Sequence, residues 1–413
     1  MLTAYIFDDG LPQLAPLTDL RACFDVRTGA LTTLERLTAA LRLHVLGLKV
    51  PPSLAALTSK RHSAPVNVQA SGGVVLFLNG RCVLPPTGLE GLSEGESLVE
   101  EATGSLVAAR LGARDAAAFL DSGTVPPGNR RVLPGRCLLS RPWHVRTFRD
   151  DALRMDLGLL ETRETGALTS TQEPPLPRRY EPGPGPLHLG GNTVIHPEAK
   201  VYPGVTLDSE HGGIHIAEHA VIRPGAILIG PCYVGPHSTV LERATIRAGT
   251  AIGPWSKVNG EVGGTIFQGY SNKAHDGYVG DSYLGEWVNL GAGTTTSNLL
   301  NTYGEIISRV LPEGPNERTG EQFLGAIIGD HVKTAICTRI MTGSVLHTGG
   351  MFATTAAVSG CAAAFTWATD AGTRRYRLDK FLEVAKAAMA RRKVEPSGAY
   401  VERLGQLHEA SGS

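Results

Sequence analysis

The stretch Val221–Val262, VIRPGAILIGPCYVGPHSTVLERATIRAGTAIGPWSKVNGEV, places an aliphatic residue at every sixth position. Ile222, Leu228, Val234, Val240, Ile246, Ile252 and Val258 recur without a break. Four places after each comes Ala226, Cys232, Ser238, Ala244, Thr250, Ser256 or Val262, most of them small. Sandwich strands alternate with period two and have no reason to keep a strict period of six. A triangular β-coil does: one aliphatic residue per flat face fills a narrow interior, and a small one fits beside it. Stacked coils then share one continuous core. The period therefore predicts a left-handed parallel β-helix of the hexapeptide-repeat kind.

Working outward, Ile195, Val201 and Leu207 begin the pattern, and Ile328, Thr334, Ile340 and Leu346 resume it after an interruption. The helix is expected over 192–372. Upstream, 171–191 (TQEPPLPRRYEPGPGPLHLGG) is rich in Pro and Gly and reads as a linker. Residues 1–170 read as an α/β domain, with strands at Thr3–Phe7 and Val74–Leu78 and helices at Thr32–His44 and Ala113–Leu120. The tail 373–413 reads as a helix from Asp379, with Phe381, Leu382, Ala385, Ala388 and Met389 on one face.

With 413 residues, more than one core is expected. Lys+Arg equals Asp+Glu at 39 each, which argues against broad attraction to nucleic acid or a membrane surface. No run approaches the roughly 20 apolar residues of a membrane span. Six scattered cysteines show no C-x-x-C and fit reduced thiols in a cytoplasmic protein. The 50 glycines need a structural cause, and tight turns between short strands supply one.

Regular coils present flat faces, so chemistry is expected where the repeat breaks. The largest breaks are Gly263–Gly277 (GGTIFQGYSNKAHDG) and Leu299–Leu324. Acyl transfer to an amine needs a base for the amine proton and a donor for the oxyanion. Histidine is the side chain that ordinarily titrates near neutral pH. That makes His275 the natural base, with Asn289 and Asn298 as uncharged polar groups on neighbouring coils.

The run from His275 through Tyr278, Asp281, Gly285, Asn289, Gly291, Ala292, Gly293 and Thr294 to Asn298 resembles the acetyltransferase half of a known family. That family is the bifunctional bacterial UDP-N-acetylglucosamine pyrophosphorylase/glucosamine-1-phosphate N-acetyltransferases. The wording GYSNKAHDGYVGDSYLGEWVNLGAG is closer to a variant branch of sugar nucleotidyltransferases. The resemblance implies that His275 is the catalytic base. It implies that Tyr278 and Asn289 hold the sugar phosphate, that Ala292 and Asn298 surround the acetyl group, and that Glu261 supports the sugar site. Arg247 lies two residues from where an arginine would meet the phosphate. Departures are Gly263, where a lysine is expected, and Leu299-Leu300, where Tyr-Asp is expected. Arg309, Arg318 and Lys333 are the candidates to replace a further lysine. The implied co-substrate is acetyl-CoA, the acceptor an amino-sugar phosphate, and the assembly a homotrimer.

The N-terminal half resembles the nucleotidyltransferase domain less. The strand Ala4–Phe7 leads into DDGLPQLAPLT (8–18), which keeps Pro16-Leu17-Thr18 and lacks the glycine-rich loop and its arginine. Pro12 also removes an N–H that would face phosphate. Arg21, Asp25, Arg27 and Gly29 reproduce a pattern of the variant branch, which makes Arg21 and Arg27 candidates for binding the phosphates of a nucleoside triphosphate. Asp8, Asp9 and Asp25 are candidate Mg2+ ligands if this half is active. The expected function is thus nucleotide-sugar synthesis by acetyl-CoA-dependent N-acetylation of an amino-sugar 1-phosphate, coupled or not to formation of a UDP- or dTDP-sugar. The alternatives are a non-catalytic assembly or regulatory β-helix and a metalloenzyme like the γ-class carbonic anhydrases. For the latter, His211, His215 and His219 are the regularly spaced histidines.

Overall fold

A computed structural model describes residues 2–68, 73–124, 128–167 and 185–412. The chain divides into two compact units, one of residues 1–26 and 31–141, the other of residues 27–30 and 142–413.

The first unit is built on a mixed six-stranded sheet. Its strands are β1 (Leu2–Phe7), β2 (Leu43–Lys49), β3 (Val75–Asn79), β4 (Glu96–Glu100), β5 (Leu106–Leu111) and β6 (Asn129–Leu133), in the order β2-β1-β3-β5-β4-β6. The pairs β1–β2, β1–β3 and β4–β6 are parallel, while β3–β5 and β4–β5 are antiparallel. Tyr5, Phe7, Phe77 and Phe119 pack one layer of the core, with Phe77 and Phe119 edge to face at 4.8 Å.

Among the described residues this unit carries the α-helices α1 (Thr33–Ala40), α2 (Pro52–Arg61) and α3 (Ala113–Ser122). Thr32 starts α1 through a capping box with Glu35. The helix expected to reach His44 stops at Ala40. Arg42 takes a left-handed φ of 49°, and Leu43–Lys49 turns into β2 beside β1. The backbone hydrogen bonds of a paired strand outweigh a local helical pattern here.

The second unit is the β-helix, preceded by α4 (His144–Ala167). Three parallel faces carry six, nine and five strands. The six-stranded face runs from Leu187–Leu189 through Glu261–Gly263 to Tyr278–Gly280. The five-stranded face runs from Lys200–Val201 to Asn272–Lys273. Every six-spaced aliphatic residue from Ile222 to Val258 is fully buried, and so is each small partner from Ala226 to Val262. Most of the expected linker lies outside the described residues, but Leu187–Leu189 is already a strand. It pairs with Thr206–Asp208, which gives its backbone a ladder despite the flanking prolines.

The interruption is an excursion of 299–324 that contains the antiparallel pair Ile307–Ser308 and Glu317–Arg318. It returns beside its start, where the Leu324 N–H donates to the Asn298 carbonyl at 2.9 Å. The coils then resume with Ala326–Ile328 against Tyr283–Glu286. At the far end stand two helices where one was expected, α5 (Leu378–Ala390) and α6 (Gly398–Ala410). Phe381, Ala385 and Met389 of α5 are buried, and Tyr400 of α6 hydrogen-bonds His331 at 2.8 Å.

One corner of the helix carries bulky residues in the left-handed conformation: His219, His237, Trp255, Tyr270, Trp287 and His331, with φ between 54° and 62°. Their rings stack in sequence, the closest pair being His237 and Trp255 at 4.3 Å. Stacking along the corner offsets a backbone strain of about 1 kcal/mol per residue.

Candidate active site

His275 occupies the corner between Asn272–Lys273 and Tyr278–Gly280, and its side chain is exposed. Two features fix this turn. Gly277 has φ +106°, and a Cβ there would meet the Thr294 carbonyl oxygen at 2.2 Å, so only glycine fits between the coils. From inside, the buried Lys273 Nζ donates to the carbonyls of Asn259 (3.0 Å), His275 and Asp276 (2.9 Å). Burial lowers this amine to about 8, against an opposing pull from Asp276. One coil on from His275, in the register set by the Asn272–Asn289 bridge, is Ala292.

The six-stranded face beside this corner holds a polar cluster. Glu261 lies between Thr245 and Tyr278 in the parallel ladder, and Arg247 Nε donates to its carboxylate. Asn298 Nδ2 donates to the Tyr278 hydroxyl at 3.1 Å and to Asp281 Oδ2 at 2.7 Å. The other oxygen of Asp281 accepts from Arg149 Nη1 of α4 at 2.6 Å, and the same nitrogen donates to the Gly264 carbonyl at 2.7 Å. Burial, then Asp281 and Glu261, push the Tyr278 phenol above its usual value. The cluster thus joins Arg247, Glu261, Tyr278 and Asn298, all expected from the sequence, to Arg149 and Asp281, which were not. Asp281 lies inside the quoted motif. Arg149 sits far upstream on α4, and no local pattern links it to the β-helix.

Asn289 is not in this cluster. It lies on the neighbouring face, bridged to Asn272 and Lys333, and accepts from Asn272 Nδ2 at 2.8 Å. Of the three candidate replacement cations, Arg309 donates to the Pro312 carbonyl and Arg318 pairs with Glu305, both within the excursion. Lys333 is the one that stands next to an expected site residue, Asn289.

The acidic candidates in the first half each have partners of their own. Asp8 accepts from the N–H groups of Gly10 (2.8 Å) and Cys23 (2.7 Å), and burial raises its carboxyl. Asp9 binds Arg81 through both oxygens and Asn79 at 3.1 Å. Asp25 faces His62 at 2.8 Å and Arg61 at 3.8 Å. Among the described residues, no group of three or more His, Cys, Asp or Glu is placed to hold a metal. These three carboxylates, each satisfied elsewhere, do not fit a shared Mg2+.

Arg21 is buried and donates to the Leu17 carbonyl at 3.1 Å. Arg27, also buried, gives its N–H to Gln268 and its guanidinium to the Ala30 and Gln268 carbonyls. Neither guanidinium is presented for a nucleotide phosphate. The regularly spaced histidines also part company: His215 is buried beside Tyr233, and His219 stacks on His237.

Residues 4–165 match the sugar nucleotidyl transferase family model. The bifunctional protein GlmU of Rippkaea orientalis is 36% identical over 31% of this chain and 28% of its own length. The bifunctional sugar-1-phosphate nucleotidylyltransferase/acetyltransferase of Sulfurisphaera tokodaii is 35% identical over 32% of this chain and 33% of its own. The chain therefore spans about a third of the length of these relatives. The acetyltransferase domain of PglB from Neisseria gonorrhoeae aligns over 87% of this chain and 97% of its own, at 12% identity and a TM-score of 0.18. That likeness is too slight to inform fold or chemistry. Over about a third of its length the chain is thus similar to bifunctional nucleotidyltransferase/acetyltransferases, and residues 4–165 match the sugar nucleotidyl transferase family.

Proposed function

We propose that the chain transfers the acetyl group of acetyl-CoA to the amine of an amino-sugar 1-phosphate, a step of nucleotide-sugar synthesis. The observation that carries this reading is the exposed His275, held on a rigid corner next to the Arg247–Glu261–Tyr278–Asn298 cluster. His275 takes the proton as the amine nitrogen attacks the thioester carbon. The tetrahedral oxyanion then collapses, the C–S bond breaks and the CoA thiolate leaves. With its Nδ2 given to Tyr278 and Asp281, Asn298 orients the Tyr278 hydroxyl toward the acceptor. Arg247, half exposed beside Glu261, supplies positive charge for the sugar phosphate in place of the lysine that Gly263 lacks.

Asn289 and the Tyr278 cluster lie on adjacent faces of one helix. Assembly as a homotrimer is what the family resemblance implies. Coupled nucleotidyl transfer by the first half is the second reading, supported by the match of residues 4–165 to the sugar nucleotidyl transferase family; Arg21 and Arg27 are buried there. The test is incubation with acetyl-CoA and glucosamine 1-phosphate, following free thiol and the N-acetylated sugar phosphate by mass spectrometry. Equal amounts of both products are expected. Neither product, with this or any other amino-sugar 1-phosphate, would overturn the reading.

A further inference from the structure

We propose that Cys82 and Cys137 are a dithiol modification site, which a low-molecular-weight disulfide converts reversibly into an intramolecular disulfide. The two cysteines are far apart in the sequence, but both belong to the first unit. Cys82 follows β3 and Cys137 follows β6. Cys82 and Leu138 face each other across an antiparallel bridge. The Val83 N–H donates to the Cys137 carbonyl at 3.2 Å and the Leu139 N–H to the Arg81 carbonyl at 2.9 Å, so hydrogen bonds flank the bridged pair. Such a pair has its α-carbons about 4.5 Å apart, and one step along the strand adds about 3.4 Å at right angles. The α-carbons of Cys82 and Cys137 are therefore roughly 5.6 Å apart, inside the range of about 4.4–6.8 Å that a disulfide spans. A regular ladder would turn these neighbours to opposite faces. Here the ladder stops at Cys137, whose N–H goes to Glu100 Oε1 at 2.6 Å, and the two thiols meet in a hydrogen bond.

The two sulfurs are not equivalent. Cys82 is fully buried and Cys137 half-buried. The Cys82 thiol donates to the Cys137 sulfur, and this bond, then burial, pushes Cys82 well above the usual thiol value. The same bond holds Cys137 below that value against the pull of burial. Thiolate is the attacking form, so Cys137 is the entry thiol and Cys82 the resolving one. The segment around them is braced. Glu100, itself buried, accepts from the Leu138 N–H at 2.7 Å and the Thr103 hydroxyl at 2.7 Å, and Arg81 Nη1 donates to the Leu139 carbonyl at 2.7 Å. In the first step the Cys137 thiolate attacks one sulfur of the small disulfide, whose S–S bond breaks, and one thiolate leaves with the electron pair. Cys82 then gives its proton to solvent as its sulfur attacks Cys137 Sγ, and the second thiolate leaves. The chain loses two electrons and the small disulfide is reduced to two thiols. In a reducing compartment such bonds are usually transient and catalytic or redox-sensing. The other cysteines lack this arrangement: burial raises Cys23 and pushes Cys232 and Cys361 up to about 12, while Cys337 is exposed.

The test uses the full chain carrying Cys337→Ser, which removes the exposed thiol. Reduced protein, freed of reductant, is treated with oxidised glutathione near neutral pH; remaining thiols are then alkylated in denaturant and the peptides mapped by mass. The peptides of Cys82 and Cys137 are expected to be linked and lighter by two hydrogens, and dithiothreitol should restore both thiols. Cys82→Ala in the same background should stop with one glutathione on Cys137. Cys137→Ala should leave the buried Cys82 unmodified. A chain that keeps both thiols overturns the proposal. So does glutathione on Cys137 with no linked peptide when both cysteines are present, which marks a lone reactive thiol. The linked peptide is read in a chain with both cysteines intact, so a variant that fails to fold does not decide the outcome.

Discussion

Replacing Lys273 or Lys333 by methionine is predicted to move stability in opposite directions, although burial draws both amines to about 8. From an ordinary 10.5, that shift corresponds to about 3 kcal/mol of disfavoured ammonium in each. At Lys273 three carbonyl acceptors return more than this. Hydrogen bonds to a charged group contribute about 1.5–3 kcal/mol each, and methionine would also leave the His275 and Asp276 carbonyls without their donor. Lys273→Met should therefore cost about 2–4 kcal/mol. At Lys333 a single 3.4 Å bond returns little. Methionine keeps the aliphatic stem and removes the charge, so Lys333→Met should gain about 1–2 kcal/mol after discounting for the part that water reaches. Urea unfolding at pH 7 followed by tryptophan fluorescence is the assay. All four tryptophans, Trp143, Trp255, Trp287 and Trp367, belong to the second unit, so the signal reports the β-helix. Midpoints that shift the same way in both variants would refute the reasoning that partners, rather than burial, set the sign.

The Lys333 argument also fixes a pH dependence. The folded chain binds this proton less tightly than the unfolded chain, so stability rises as pH climbs from about 8 towards 10.5. The advantage of Lys333→Met over wild type should shrink across that window and vanish above it, measured as paired melting temperatures. Gly277→Ala should destabilise by about 2–4 kcal/mol, because φ +106° and the Thr294 carbonyl leave no room for a Cβ; a urea midpoint within error of wild type would contradict this. Asn298→Ala removes the donor to Tyr278 and Asp281, and is expected to raise the KM for the sugar phosphate roughly tenfold with a smaller change in kcat. Initial rates against acceptor concentration check it.

The β-helix was legible because its core is one-dimensional: each coil repeats the same steric problem, so Ile222 to Val258 declare it without any long-range information. The corner ladder carried a signal too, since His219, His237 and Trp255 stand one three-hexad coil apart, but aromatic residues in left-handed turns are not expected from propensity. The site was half legible. Tyr278, Glu261, Arg247 and Asn298, which the resemblance implied, come together in one cluster. Arg149 could not be found, because α4 meets Asp281 through tertiary packing alone. In the first half the Arg21–Gly29 pattern suggested phosphate contacts. Burial of Arg21 and the pairing of Asp9 with Arg81 depend on partners distant in sequence. The early end of α1 has the same cause, since β2 is stabilised by β1 and not by its own residues.

The central claim is that His275 acts as the base in acetyl transfer, and the initial rate of thiol release in His275→Ala against wild type tests it most directly. A positioned base contributes about 10²–10⁴ in rate, so kcat should fall at least roughly 100-fold while the tryptophan unfolding midpoint stays within error of wild type. A variant that keeps the wild-type rate would contradict the account.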